Sequence, residues 1–490
     1  MGKTTRIRVV GSREAKGDIY VVPCLERKAP DTGDLPAHVA RAAKSAAARR
    51  GFSGRAGQVA HTRGTRENAP ATVLVGLGKV GAFRVRSLRK YLGRAVAEAR
   101  RGGFKNPVIR VPEHRAASGI ESAERALRHL ALTGYRFDAF HSRRRPKGAF
   151  RQIRVVPGAD RLAEHRAVLD RAVKTAEGVA ITRDLANTPP NEAFPQALAE
   201  RAQEIAKAHG IKARVLGPRL LEKRGMGGIL AVGKGSRRGP RLVELEWGDG
   251  EERISLVGKG VTFDTGGISI KPSTGMDEMK FDKSGACTVL GAAAAAASLD
   301  LPFRFRAYLP LAENMPDGAA YRPGDIVRCY NGKTVEILNT DAEGRMLLAD
   351  ALALASEHGA DTVLDYATLT GACVVALGSS GAGLFSPDDG LAEELLHAAS
   401  GAGERLWRLP LWPEFTEQMK GDHADLRNTG TRWGGASTAA AFLSQFVKGS
   451  RWAHLDIAGP AYVGRSSKAK FGATGYGVAL SIAWLLNRAG

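Results

Sequence analysis

The 490-residue sequence predicts an α/β protein, with a basic N-terminal α/β domain followed by a larger α/β domain that has a mixed central sheet. β-type runs alternate with helical stretches along the chain, which indicates strands covered by helices. The chain is also longer than one ordinary domain. Charge separates the two parts, because residues 1–150 hold 32 Lys and Arg against 11 Asp and Glu, whereas residues 151–490 hold 40 against 39.

The N-terminal domain is assigned to residues 1–158. Apolar and β-branched runs predict strands at residues 19–22, 72–75 and 108–111. Alanine- and arginine-rich stretches predict helices over residues 37–50 and 87–101. The arginine-rich segment 141–147 is predicted to be a charged loop at the end of this domain.

Residues 159–185 are predicted to link the domains, through one long helix over 161–185 whose apolar residues recur at helical spacing. Pro189 and Pro190 end this segment, because proline cannot continue the hydrogen-bond ladder. Residues 186–490 form the second domain, with predicted helices at 196–208, 284–298 and 346–357 and predicted strands at 242–246, 254–257 and 362–366. In open α/β sheets the loops at the carboxyl ends of strands usually carry the site.

Several classes of protein are excluded by composition and local pattern. The cysteines Cys24, Cys287, Cys329 and Cys373 are far apart in sequence, which argues against a disulfide framework or a cysteine zinc site. The longest apolar run, 289–297, is far shorter than the ~20 residues of a membrane span. No apolar secretion signal follows Met1. We therefore expect a cytoplasmic protein that does not enter a membrane.

Acidic and basic side chains concentrate in two glycine-rich segments, each of which follows a β-type run and precedes a helix. Segment 257–282 contains Lys259, Asp264, Lys271 and Asp282, and segment 339–345 contains Asp341, Glu343 and Arg345. Glycine turns at strand ends leave such side chains pointing into a shared crevice, so we expect these residues to converge.

Converging carboxylates repel one another unless cations neutralise them. Lys259, Asp264, Asp282, Asp341 and Glu343 are therefore predicted to hold two divalent metal ions, ~3.5–4 Å apart and sharing a water, as in several hydrolases. No His lies between residues 259 and 345, which argues against a His-based zinc site. Oxygen ligands with one amine suit manganese, magnesium or zinc alike.

The remaining basic residues have two interpretations each. Lys271 could stabilise an oxyanion that forms on a substrate carbonyl, and Arg345 could hold a small anion or a water. Either could equally form a plain salt bridge with a neighbouring carboxylate. Asp282 taken alone could be a helix N-cap, and Asp341 and Glu343 could simply favour a helix N-terminus.

The segment Asn-Thr-Asp-Ala-Glu-Gly-Arg at 339–345 resembles the signature of the leucyl aminopeptidase (cytosol aminopeptidase) family, and segment 259–282 resembles the other metal-binding block of that family. The similarity continues through 187–191, 367–372, 424–428, 434–443 and 452–459. It implies a metallo-exopeptidase that releases single N-terminal residues from peptides, with a leucine-type preference. It also implies a homohexamer and a macro-like fold for the N-terminal domain.

The resemblance further implies a role for each site residue. One metal would be bound by Lys259, Asp264, Asp282 and Glu343, and the other by Asp264, Asp341 and Glu343. The metals implied are Mn²⁺ or Zn²⁺, with a bridging water as the attacking group. Lys271 would contact the substrate carbonyl, Arg345 would hold a bicarbonate ion that acts as general base, and Thr368 and Leu369 would line the substrate pocket.

Two departures from the family pattern and two alternative functions stay open. Lys283 follows Asp282 where the family usually has an apolar residue, and Tyr476 and Gly477 replace a more typical Arg-Pro. A net charge of +21 over residues 1–150 is compatible with a nucleic-acid-binding regulatory or accessory protein, with or without peptidase activity, and equally with a solvated surface. Steeply salt-dependent retention of residues 1–158 on a polyanion resin would favour the first. A dipeptidase-like specificity, for example for cysteinyl-glycine, is the second alternative.

Overall fold

The computed structural model describes residues 4–49, 51–62, 70–114, 119–142, 150–467 and 470–489. The chain divides into two compact units, residues 1–180 and residues 181–490. Most of the segment 141–147, predicted to be a loop, lies outside the described residues. Among the described helices, none is both long enough and apolar enough to cross a membrane.

The first unit contains a six-stranded sheet with the strand order β1-β6-β5-β2-β4-β3. Its strands are β1 Ile7–Val9, β2 Ile19–Leu25, β3 Val59–Thr62, β4 Ala71–Gly78, β5 Pro107–Arg110 and β6 Ile153–Val156. Its helices are α1 Ala37–Ala47, α2 Val85–Arg101, α3 Ile120–Leu132 and α4 Leu162–Ala167, and α5 Leu169–Asn187 begins in this unit. All strand pairs are parallel except β3 with β4, so helical crossovers are required and both faces of the sheet are covered.

Alternation along β2 shows how the two faces are filled. Ile19 and Val21 pack in the cluster that includes α2 and α3, whereas Tyr20 and Val22 pack in the cluster that includes α1. A strand buried on both faces reads as a continuous apolar run, which is why this strand could be predicted.

The prediction of one helix over residues 161–185 is wrong in one respect. The structure has two helices, α4 and α5, with Val168 between them. Val168 has φ −96° and ψ −1°, outside the helical norm, and its buried side chain packs in the core of the first unit. Helical periodicity continues across the break, so the sequence pattern does not reveal it.

The second unit contains a nine-stranded mixed sheet with the order β16-β15-β18-β14-β9-β11-β8-β7, and β10 pairs with β11. Its strands, with those of two small sheets, are β7 Lys212–Leu216, β8 Arg241–Trp247, β9 Arg253–Gly258, β10 Gly260–Asp264, β11 Arg304–Asn314, β12 Ile326–Arg328, β13 Thr334–Glu336, β14 Thr362–Ala367, β15 Ala382–Phe385, β16 Leu406–Arg408, β17 Leu426–Arg427, β18 Arg451–Asp456, β19 Tyr462–Val463 and β20 Gly472–Ala473. Its helices are α6 Pro195–Ala208, α7 Pro218–Lys223, α8 Gly227–Gly233, α9 Ser284–Ser298, α10 Glu343–Glu357, α11 Gly371–Leu377, α12 Asp389–Ala402, α13 Pro413–Glu417, α14 Gly435–Ser444 and α15 Val478–Arg488.

Helices cover both faces of this sheet. Residues of α6, α9, α12 and α15 share one buried cluster, and residues of α8, α10 and α14 share the other. Helix α9 lies very close to the strands, since a Cβ on Gly285 would come within 2.1 Å of the Tyr366 carbonyl oxygen. The central strands β18, β14, β9 and β11 are parallel, so their carboxyl ends meet at one edge.

Candidate metal centre

Lys259 and Asp264 are placed by two consecutive strands. Lys259 lies between β9 and β10, where its N–H donates to the Tyr366 carbonyl at 3.0 Å, and Asp264 ends β10. The Asp264 Oδ1 atom accepts from the Gly266 N–H and from the Asn314 side-chain amide, both at 2.9 Å. These contacts hold both side chains at the carboxyl edge of the sheet.

Lys271 returns to the same place through a glycine turn. Gly266 and Gly267 have φ values of +88° and +68°, which L side chains rarely adopt. The Lys271 N–H then donates to the Thr265 carbonyl at 2.9 Å. The turn brings the Lys271 ammonium to 2.8 Å from Asp264 Oδ2.

Glu343 is the first residue of α10, and Asp341 lies in the turn before this helix. A Cβ at Gly344 would lie 2.4 Å from Cε of Lys259, so only glycine lets the lysine side chain pass the start of the helix. The Lys259 ammonium reaches Glu343 Oε1 at 2.8 Å. The helix therefore begins at the site, three residues earlier than the sequence predicted.

Asp282 comes from the 3₁₀ turn Met276–Lys283 that precedes α9. Its Oδ2 atom lies 2.9 Å from the Lys259 ammonium, and its Oδ1 atom accepts from the Thr368 hydroxyl at 2.7 Å. The Thr368 carbonyl also accepts from the Lys259 ammonium at 2.8 Å. Thr368 thus contacts two of the predicted metal ligands directly.

The four acids converge around the two lysines. Asp264, Asp341 and Glu343 each offer an oxygen, and these oxygens all lie within 4.8 Å of one another. Lys271 pairs with both Asp264 and Asp341, while Lys259 pairs with Asp282 and Glu343. Segments 257–282 and 339–345 therefore form one cluster.

Burial makes this cluster electrostatically costly. Burial raises the pKa of Asp282 well above its ordinary value, and burial, with the neighbouring Asp264 charge, raises the pKa of Glu343. Burial likewise raises the pKa of Asp341. Burial alone would lower the pKa of Lys259, but the charges around it, chiefly that of Asp282, raise it. Four carboxylates against two ammonium groups leave an excess of two negative charges when all are ionised.

The donor set fits divalent cations. Buried Glu343 Oε2 receives no hydrogen bond from any described residue, although a buried carboxylate oxygen normally has a donor. Carboxylate oxygens are the ligands that manganese, magnesium and zinc share, and cations would relieve the raised pKa values of the acids. Lys259 can coordinate a metal ion only as its neutral amine. A bound cation would therefore displace a proton from the Lys259 ammonium, which the neighbouring carboxylates now stabilise.

Arg345 lies on the first turn of α10 and is almost fully buried. Its Nη1 donates to the Asn428 carbonyl at 2.7 Å, whereas its Nε finds no acceptor among the described residues. Burial lowers the pKa of Arg345 to about 10, and the charges of Glu343 and Asp456 partly oppose this shift. The guanidinium thus stays next to the cluster with its buried Nε–H unpaired among the described residues.

Three side chains with hydrogen bonds to the site or to the loop beside it were not predicted from the sequence. Asn314 holds Asp264, Asn428 accepts from the Leu338 N–H at 2.8 Å and binds Arg345 through its carbonyl, and Asp456 binds the loop after β14. Asn428 and Asp456 lie in the segments 424–428 and 452–459, which resemble the family but for which the resemblance implies no role. Asn314 ends β11, a strand that was not predicted.

The residues that depart from the family pattern point away from the cluster. The Lys283 ammonium is buried and donates to the carbonyls of Thr188 and Lys280, and burial lowers its pKa to about 8. Tyr476 donates from its hydroxyl to the Arg405 carbonyl at 2.6 Å. Leu369 is half-buried and packs against the hydrophobic core that includes residues of α10.

Two family models match this chain, and the matched regions correspond to its two units. The model described as the cytosol aminopeptidase family, catalytic domain, matches residues 180–482. The model described as the cytosol aminopeptidase family, N-terminal domain, matches residues 21–144. Together the two matches cover most of the chain.

Individual proteins agree with these matches. A probable cytosol aminopeptidase of Roseiflexus castenholzii is 45% identical over 426 residues, which cover 84% of this chain and 86% of the relative. A probable cytosol aminopeptidase of Dechloromonas aromatica is 44% identical over 429 residues, which cover 85% of each chain. Among solved structures, the bottromycin maturation enzyme BotP in complex with Mn superposes with a TM-score of 0.84 at 36% identity, covering 97% of this chain and 100% of that chain.

Proposed function

Because the chain belongs to the cytosol aminopeptidase family and is a metal-dependent aminopeptidase, we propose that it releases single N-terminal residues from peptides at a dinuclear site. The observation that carries the proposal is the approach of Asp264, Asp341 and Glu343 to within 4.8 Å of one another. Three carboxylates this close, two of them almost fully buried, repel one another when ionised, and bound cations would neutralise them.

The chain offers enough ligands for two ions. Asp264 and Glu343 would bridge the ions, Lys259 and Asp282 would complete one set, and Asp341 would complete the other. Mn²⁺ and Zn²⁺ are the ions we propose. When bound, two such ions would supply a shared water as nucleophile, a Lewis acid for the scissile carbonyl and a ligand position for the free α-amine.

The two basic residues would act on the substrate side of the cluster. The Lys271 side chain is 22% exposed, so its ammonium can reach a substrate carbonyl while it stays beside Asp264. It would donate to the oxygen that becomes negative in the tetrahedral state. The Nε atom of Arg345 would hold a bicarbonate ion, close to Glu343, for removal of a proton from water.

A cavity of about 340 Å³ has Thr429, the residue after Asn428, in its lining, and we propose that it receives part of a peptide. It is lined in part by Leu338, Arg427 and Thr431, and the Leu338 N–H is held by Asn428. We propose that Thr368 and Leu369 line the pocket for the N-terminal side chain and that leucine-type residues are preferred. Dipeptides such as cysteinyl-glycine are the alternative substrates.

Free and blocked substrates should differ sharply. Metal-stripped protein reconstituted with Mn²⁺, Zn²⁺ or Mg²⁺ should hydrolyse leucyl-p-nitroanilide, while N-acetyl-leucyl-p-nitroanilide should react at least ~10³-fold more slowly. The acetylated nitrogen is an amide and a poor ligand, so the contact worth ~4 kcal/mol in the transition state is lost. Release of p-nitroaniline measures both rates, and a panel of aminoacyl amides reports the side-chain preference. Equal rates for the free and acetylated substrates would contradict the proposal.

We also propose a homohexamer that assembles through the second unit. Helices α11, α13 and α14 pack together, and apolar side chains on or beside them are in solvent, including Val375 of α11 at 89% exposure and Trp433 in the turn before α14 at 75%. Trp412 stacks on Phe415 in the same region. Exposed apolar groups of this size mark interaction surfaces. Mass photometry should give six chains per particle for the native protein, and fewer for a Trp412→Ser, Trp433→Ser double variant, whereas a monomeric native protein would refute the assembly.

Residues 186–490 are proposed as the catalytic domain, residues 159–185 as a linker and residues 1–158 as a separate basic domain. We propose cytoplasmic residence, which the proposed substrates and the relatives named as cytosol aminopeptidases support. Nucleic-acid binding by residues 1–158 stays a prediction from charge alone, and none of the relatives described above supports it.

A further inference from the structure

Asp456 is a buried carboxylate to which the proposed mechanism gives no role. It ends β18 and lies beside Ala367, the last residue of β14, in parallel register. Its side chain is fully buried. The Oδ1 atom accepts from the N–H groups of Leu369 and Ala458, both at 3.2 Å, and Oδ2 accepts from the Thr370 N–H at 3.1 Å and the Thr370 hydroxyl at 2.7 Å.

The loop that Asp456 binds carries contacts with the metal centre. Thr368 precedes Leu369, the first residue whose N–H the carboxylate accepts. The Thr368 carbonyl accepts from the Lys259 ammonium at 2.8 Å, and its hydroxyl donates to Asp282 Oδ1 at 2.7 Å. Asp456 therefore sets the position of the peptide whose carbonyl orients Lys259, and with it the position of the Thr368 hydroxyl that orients Asp282.

The loop has few other polar supports before α11 begins. The Thr370 hydroxyl, while it donates to Asp456, accepts from the Cys373 N–H at 3.0 Å and so caps that helix. Hydrogen bonds to a buried charged group are stronger than neutral ones, and leaving their donors unpaired is costly. Loss of the Asp456 charge would therefore release Leu369 and Thr370, and with them the loop, from the side chain at position 456.

We infer that Asp456 is a positioning residue for the metal centre, because it fixes Thr368, whose carbonyl orients Lys259 and whose hydroxyl orients Asp282. The inference rests on the proposed function, since it takes Lys259 and Asp282 as ligands. Asp456 touches neither ligand itself. Its effect should therefore appear in metal affinity as well as in turnover.

A neighbouring acid provides a matched control. Asp365 on β14 is also fully buried, and it pairs with His454 Nδ1 at 2.6 Å and accepts from Trp452 Nε1 at 2.8 Å. Neither of these hydrogen bonds reaches the loop 368–370. The change Asp365→Asn thus disturbs a buried carboxylate of the same sheet without releasing the loop.

The experiment measures Mn²⁺ affinity by calorimetry on metal-stripped, full-length protein, together with the melting temperature of each stripped variant and kcat and KM at saturating Mn²⁺. Asp456→Asn should weaken Mn²⁺ binding ~10–100-fold, the usual effect of removing a partner that orients ligands. Asp365→Asn should change the Mn²⁺ Kd less than about threefold, even where its melting temperature falls as far. Thr370→Val should weaken Mn²⁺ binding about fivefold, and Thr370→Ser, which keeps the hydroxyl, should restore it.

The outcomes separate the two proposals. Wild-type affinity in Asp456→Asn, or equal losses in Asp456→Asn and Asp365→Asn, would overturn the positioning role alone. If Asp456→Asn fails to fold, the pair Thr370→Val and Thr370→Ser decides, and equal affinity in that pair overturns the role. Native protein that binds no Mn²⁺ would contradict the proposed function itself, and the positioning role with it.

Discussion

Replacing Glu343 by Gln should abolish activity and metal binding together, with kcat/KM at least ~10³-fold lower, or ~4 kcal/mol of transition-state stabilisation. Glu343 is 2% exposed, lies 2.8 Å from the Lys259 ammonium and shares the cluster with Asp264 and Asp341. Glu343 and Asp264 are the two residues that would belong to both ligand sets. Gln keeps the shape but removes the charge, so both ions lose an anionic ligand. Metal content by mass spectrometry and hydrolysis of leucyl-p-nitroanilide measure the two effects.

The control lies at the other end of the same helix. Glu357 is exposed on the last turn of α10, so Glu357→Gln makes the same chemical change away from the cluster. It should keep two ions per chain and stay within about twofold of the native rate, as surface changes usually do. A Glu343→Gln protein that retained both ions and full activity would refute the site.

The convergence of these side chains could be predicted from the sequence because the residues follow local rules. Lys259, Asp264, Asp341 and Glu343 stand at strand ends or helix starts, beside glycines that allow close approach. The carboxyl ends of parallel strands meet at one edge, so side chains far apart in sequence could be expected to converge there. Helix α9, Ser284–Ser298, matches its predicted limits, and β9 and β14 contain the runs that predicted them.

The long-range hydrogen bonds that orient these residues could not be predicted from the sequence. Strand β11, at the centre of the sheet, was missed because Pro310 and the polar Glu313 and Asn314 interrupt its apolar pattern. Asn314 consequently escaped notice, although it holds Asp264. Thr368 was expected to line the substrate pocket, yet its hydroxyl bonds to Asp282, a contact between residues 86 positions apart that no local pattern encodes.

Lys271→Met should separate catalysis from metal binding. The ammonium lies 2.8 Å from Asp264 Oδ2 and also pairs with Asp341, which is compatible with a plain salt bridge as well as with an oxyanion donor. A donor aimed at developing charge contributes ~10²–10³ in kcat, so the variant should lose that factor with little change in KM. Metal binding should be kept or tightened, because the cluster loses a positive charge and gains net negative charge.

This combination of results distinguishes the two roles of Lys271. If the residue only balances Asp264 and Asp341, cations can take over that task, and kcat at saturating Mn²⁺ should stay within about threefold of native. If it stabilises the oxyanion, no added metal restores the rate, because the donor position itself is gone. Lys280→Met is the matched control, since Lys280 lies over the rings of Phe281 and Phe471 and outside the carboxylate cluster. A native kcat in Lys271→Met would therefore contradict a catalytic role for Lys271 without contradicting the proposed metal site.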